Sequence, residues 1–89
     1  MICKVYNVKD SNIPEGAVYI GRRSPWGNQF IIGVHGDRDQ VIAKFKAWCS
    51  HNPWFVERVQ RDLIDKNLVC HCTPLACHGD VLLEIANEI

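Results

Sequence analysis

The sequence predicts a small single α/β domain: a three- or four-stranded sheet, mixed or parallel, packed with about three helices. Three observations carry this expectation. Short β-branched and aromatic runs stand near the front, a further strand is read at Leu68-Val69-Cys70-His71-Cys72, and two stretches between them repeat apolar residues at helical spacing. At 89 residues, the chain has room for one modest core and not for two domains.

Taken in order, Ile2-Cys3-Lys4-Val5-Tyr6-Asn7-Val8 alternates apolar and polar residues and reads as a half-buried strand. Asp10 to Gly16 is rich in turn formers, and Ala17-Val18-Tyr19-Ile20 gives a second short strand that ends at Gly21. Arg22 to Asn28 is a polar loop built around Pro25 and Gly27. Phe30-Ile31-Ile32-Gly33-Val34 is read as a further short strand, with an apolar loop packed under the domain as the rival.

Asp37 with Gln40 forms a capping-box pattern, after which Val41, Ile42, Phe45, Trp48 and Cys49 recur on one helical face. That helix stops near His51, where Asn52-Pro53 supplies an N-cap and a first-turn proline for a second helix. Phe55, Val56, Val59, Leu63 and Ile64 form its buried stripe. After the strand at 68–72, closed by Pro74, a last helix starts at Cys77 or His78 and runs to the C-terminus with Val81, Leu82, Ile85, Ala86 and Ile89 on one side.

The apolar fraction of 47% and charged fraction of 22% fit a folded globular chain. Ten basic residues balance ten acidic ones, which disfavours the broad electropositive face of a nonspecific nucleic-acid binder. Neither a signal-peptide pattern nor an apolar run of roughly 18–20 residues is seen, so the expected location is cytoplasmic, without membrane insertion. Five cysteines, an odd number, argue against a disulfide framework there and leave thiols, thiolates or metal ligands.

Two constellations carry chemistry. Residues 70–80 hold three of the five cysteines and two of the four histidines. As a zinc site, Cys70 and Cys72 would point to one face of a strand while Cys77 and His78 completed a tetrahedral shell, although adjacent Cys77 and His78 diverge. As a reactive site, Cys77 at a helix start would be a nucleophile, His78 a general acid or base, and Asp80 its orienting partner. The plain alternative makes the cysteines small buried residues and Asp80 a helix cap.

The second constellation is Gly21-Arg22-Arg23-Ser24-Pro25-Trp26-Gly27-Asn28, a loop directly after a strand. Ligands of α/β sheets gather at strand ends, and two guanidinium groups, a hydroxyl and an aromatic ring suit an anionic, ring-bearing ligand such as a nucleotide. In that reading Arg22 or Arg23 grips phosphate and Trp26 stacks on a base. The alternative is a rigid turn with Trp26 in the core. Trp48, Trp54 and Phe55 read as core, His35 and His51 as exposed turn residues, and Cys3 and Cys49 as buried.

The segments Val18 to Phe30 and Leu68 to Leu82 together resemble the small phage and bacterial family numbered 4326 among the domains of unknown function. The pairing of Gly-Arg, Ser-Pro-Trp-Gly-Asn and Cys-x-Cys-x-Pro-x-x-Cys-His-x-Asp carries the resemblance, with Gln29 where a proline is expected. The resemblance implies no established activity, but it implies that the front loop and the Cys-His segment form one site.

Two functional classes lead, with a binder of single-stranded nucleic-acid ends, through the two arginines and Trp26, a disfavoured third. The first is a domain binding a nucleotide or nucleotide-like phosphate through Gly21, Arg22, Arg23, Ser24, Trp26, Gly27 and Asn28 with the Cys77-His78 helix start, its enzymatic status open. The second is a Cys-rich or zinc-stapled interaction module, with Cys70, Cys72, Cys77 and His78 as ligands, acting on a host or phage protein.

Overall fold

The computed structural model describes residues 3–71 and 75–87. Strand β1 (Val5–Asn7) and strand β2 (Val18–Tyr19) precede helices α1 (Arg38–Ser50) and α2 (Pro53–Asp62); strand β3 (Leu68–Cys70) and helix α3 (His78–Ala86) follow. The three strands form one parallel sheet in the order β1-β3-β2. This is the expected small α/β architecture in its parallel, three-stranded form.

Strand β3 takes the centre for a reason visible in its composition. All three of its residues are buried, as expected of a parallel strand covered on both faces, whereas β1 and β2 carry partly exposed residues. Val5 pairs with Leu68 and Asn7 with Cys70 on one side; Val18 and Tyr19 pair with Leu68 and Val69 on the other. Ile20 N–H donates to Val69 O at 2.9 Å, extending the second ladder to the residue before Gly21.

The Asp37-Gln40 capping box forms as its sequence pattern requires: Gln40 N–H donates to Asp37 Oδ1 at 2.9 Å, and Asp37 N–H to Gln40 Oε1 at 2.8 Å. Val41, Phe45 and Cys49 then turn into the core. Asn52 occupies the N-cap position of α2, but its side chain makes no cap bond. Its Nδ2 instead donates to Trp48 O at 2.7 Å and its Oδ1 accepts from Trp54 Nε1 at 3.1 Å, so the side chain joins the end of α1 to the start of α2.

Phe45, Phe55, Val59, Leu63, Leu68, Ile20 and Leu82 form the middle of the core. Helix α3 approaches the sheet closely because residue 79 has no side chain. A Cβ there would lie 2.7 Å from Ile20 Cδ1 and 2.9 Å from Val5 Cγ2.

The expected strand at 30–34 is not formed. Ile31 O accepts from Val34 N–H and His35 N–H, and Gly33 N–H donates to Gly36 O at 2.8 Å, which folds the segment into successive turns with only an isolated bridge between Ile32 and Gly36. Gly33 and Gly36, with φ of 87° and 139°, adopt the backbone that a strand cannot use. Val34 is consequently 73% exposed rather than facing a core. Among the described residues, no helix is long and apolar enough to cross a membrane.

Candidate functional site

A cavity of about 420 Å³ lies at the carboxyl edge of the sheet. Tyr19, Gly21 and Arg22 reach it from the end of β2, Cys70 and His71 from the end of β3, and Ala76, Cys77 and His78 from the start of α3. Asn28, Phe30, Ile31 and Ile32 line it from the loop after β2, and Arg38, Val41 and Ile42 from α1. The two sequence constellations therefore meet, because parallel strands β2 and β3 deliver their carboxyl ends to the same side.

His78 is the joint between them. It is buried at 8% exposure, and its Nε2 lies 2.9 Å from Ile20 O and 3.1 Å from Trp26 O. Carbonyls only accept, so Nε2 carries the proton and donates to both, leaving Nδ1 as the lone-pair nitrogen. Burial lowers the His78 pKa from its ordinary value, against smaller raising effects of the Ile20 and Trp26 carbonyls and of the nearby Cys70 and Asp80. The ring packs edge-on against Phe45, with centroids 5.2 Å apart.

Among the described residues, the expected acid-base pair, His78 and Asp80, is not joined by a hydrogen bond. The Asp80 carboxylate accepts from Cys77 N–H at 3.3 Å. Asp80 is the second half of a capping box in which Cys77 Sγ accepts from Gly79 N–H at 3.3 Å. Three of the four amides at the start of α3 are thus occupied from within: Cys77 N–H by Asp80, Gly79 N–H by Cys77 Sγ, and Asp80 N–H by Cys77 O.

Trp26 differs from its expected stacking role as well. At 6% exposure its ring lies against Phe55, centroids 6.0 Å apart, with the Arg58 guanidinium 5.1 Å above it. Ser24 Oγ donates to Gly21 O at 2.7 Å and accepts from Trp26 N–H at 3.3 Å, closing the turn rather than facing a ligand. Asn28 is similarly committed, its Nδ2 to Val41 O at 3.2 Å and its Oδ1 to Phe30 N–H at 2.9 Å. A Cβ on Gly27 would lie 2.9 Å from Gly21 O, so this turn closes only with glycine there.

Arg22 reaches the main cavity, whereas Arg23, at φ 72°, faces a shallower one lined also by Ser24, Gly27 and Gln29. Three polar lining residues were outside the sequence expectation: Arg38, Tyr19 and His71. Arg38 Nη1 donates to Ala76 O at 3.0 Å, which holds its guanidinium beside the cavity. Tyr19 Oη and His71 Nε2 are 3.3 Å apart, their rings nearly perpendicular. Arg38 had one sequence signal: a cation in the first helical turn opposes the macrodipole, so some other contact must hold it there.

Of the candidate zinc ligands, Cys72 lies outside the described residues. Cys70 Sγ and Cys77 Sγ are 3.0 Å apart, closer than the about 3.8 Å that two thiolates keep on one tetrahedral zinc with bonds of about 2.3 Å. Among the described residues, no group of three His, Cys, Asp or Glu side chains is arranged to hold a metal ion.

Fold and cavity together define a small parallel α/β domain with a ligand-sized pocket where its strands end. Residues 4–88 match the family described as "Domain of unknown function (DUF4326)", and the chain belongs to that family. It is 30% identical over 97 residues to an "uncharacterized 12.4 kDa protein in nrdA-td intergenic region" of Enterobacteria phage T4, covering 99% of this chain and 81% of that protein. No solved structure matches it.

Proposed function

We propose that this domain binds a nucleotide or nucleotide-like phosphate compound in the cavity at the strand ends. The observation that carries this reading is the composition of the wall: Arg22 and Arg38 are the charged lining residues, no carboxylate is among those described, and the rest is largely apolar. Two guanidiniums without a counter-charge favour an anion, and Phe30, Ile32, Val41 and Ile42 offer a surface for a flat ring. The volume of about 420 Å³ falls in the ordinary range for small-molecule pockets. Arg38 joins Arg22 as the second anion contact in place of most of the α3 start, where the Cys77, Gly79 and Asp80 amides are already bonded.

The reading is one of binding, because His78 Nε2 and the Asp80 carboxylate are engaged by backbone groups and are not paired with each other. Calorimetric titration of the protein with adenosine and guanosine mono-, di- and triphosphates tests it. Hydrogen bonds to charged groups contribute about 1.5–3 kcal/mol, so Arg22→Ala and Arg38→Ala should each weaken binding by about 10- to 150-fold. Unchanged affinity in both variants, or no heat with any of the six nucleotides, would sink it.

A second reading, a module that binds a host or phage protein, draws on one observation. Ile31 and Ile32 expose apolar side chains at the cavity, and Val34 two residues on is 73% exposed. Val34→Asp separates the two: it should abolish a protein contact and leave nucleotide affinity unaltered.

A further inference from the structure

We propose that Cys70 and Cys77 form an oxidative modification site, a dithiol that a hydroperoxide converts to a disulfide in the cavity wall. Cys70 ends β3 and Cys77 caps α3, so both sulfurs are held by regular elements. Their separation of 3.0 Å exceeds a disulfide bond by only about 1 Å. Both line the cavity while being only 1% and 2% exposed, so a small oxidant reaches them only through the cavity. Gly79 N–H fixes the position of Cys77 Sγ, and His78 Nδ1, the ring nitrogen without a proton, lies 3.5 Å from that sulfur. This pairing is independent of what the cavity binds.

The chemistry balances in two steps. Cys77 sulfur attacks one oxygen of the hydroperoxide, the O–O bond breaks, and the thiol proton leaves with the other oxygen as water or an alcohol. Cys70 sulfur then attacks the resulting sulfenic sulfur; the S–S bond forms, the S–O bond breaks, and the hydroxyl departs as water with the Cys70 proton. Two thiols are oxidised by two electrons and one hydroperoxide is reduced by two.

The test is treatment of the full chain with hydrogen peroxide at neutral pH, alkylation of the remaining thiols, and chymotryptic mapping. Cleavage after Leu75 separates Cys77 from Cys70 and Cys72, and the alkyl group marks whichever of those two stayed out of the bond. The expected product has lost two hydrogens, joins Cys70 to Cys77, carries the alkyl group on Cys72, and reverts with a thiol reductant. Cys70→Ser and Cys77→Ser should each prevent it. A link through Cys72 with Cys70 alkylated, or sulfinic acid accumulating without any link, would overturn the assignment.

Discussion

Replacing His78 by alanine distinguishes a joint of the fold from a catalytic group. The substitution removes one N–H that serves two buried carbonyls, Ile20 O and Trp26 O, and one edge-on contact with Phe45. An acceptor left without its donor costs about 1–3 kcal/mol, and the aromatic contact adds about 1 kcal/mol. Water entering from the adjoining cavity offsets part of this, giving an expected loss of about 2–4 kcal/mol. A chain of 89 residues has about 4–13 kcal/mol in all, so the midpoint of thermal unfolding should fall by about 10–25 °C.

Urea unfolding followed by tryptophan fluorescence and far-UV circular dichroism at pH 7.5 measures the loss. The same pair of proteins carries a pH signature. Burial depresses the folded pKa of His78 below its ordinary 6.5, so the unfolded chain takes up the proton first as pH falls. The stability His78 contributes is complete above about pH 6.5 and declines below it, by at most about 1.4 kcal/mol per pH unit. The gap between wild type and His78→Ala should therefore narrow between pH 7.5 and 5, while contributions of the other histidines cancel in the difference. A variant within about 0.5 kcal/mol of wild type, or a gap that widens on acidification, refutes the joint.

Two further substitutions test the local packing. Gly79→Ala gains about 1 kcal/mol of helix propensity but places a methyl against Ile20 Cδ1 and Val5 Cγ2; overpacking costs about 1–3 kcal/mol, so chemical denaturation should show a net loss of about 1 kcal/mol, and a more stable variant would mean that the two side chains yield freely. Asp37→Ala removes one half of the α1 capping box and should lower the urea midpoint by the equivalent of about 1 kcal/mol, whereas Asp37→Asn should retain most of it.

Local rules made α1 legible: a capping pattern followed by apolar residues at helical spacing determines a helix almost wherever it lies. The same holds for β3, whose unbroken apolar run belongs in the centre of a parallel sheet. The segment 30–34 misled because apolar content alone does not exclude a turn; the glycines at 33 and 36 set its course. Trp26 and Ser24 show a different limit. A loop's composition announces polar and aromatic groups without saying which side of the turn each faces, and here Trp26 turned inward and Ser24 closed the turn on itself. His78 was legible as special from its neighbours, but its partners, two carbonyls more than fifty residues earlier, are set by the packing of α3 on the sheet. Arg38 was hidden among helix charges because its cavity exists only after α1 docks.

The strand order has a temporal consequence. β1 and β2 come first in the chain but pair only with β3, so neither has a sheet partner until residues 68–70 exist. During synthesis, which proceeds from the N-terminus, the front of the chain waits with unpaired strand edges while α1 and α2 form from local signals. Both ladders then close around β3 together, and the cavity walls from β2 and α3 arrive in that same event. Chains halted before Leu68 should therefore be exposed to edge-to-edge association and to chaperones, and a fragment ending there should possess helices without a sheet.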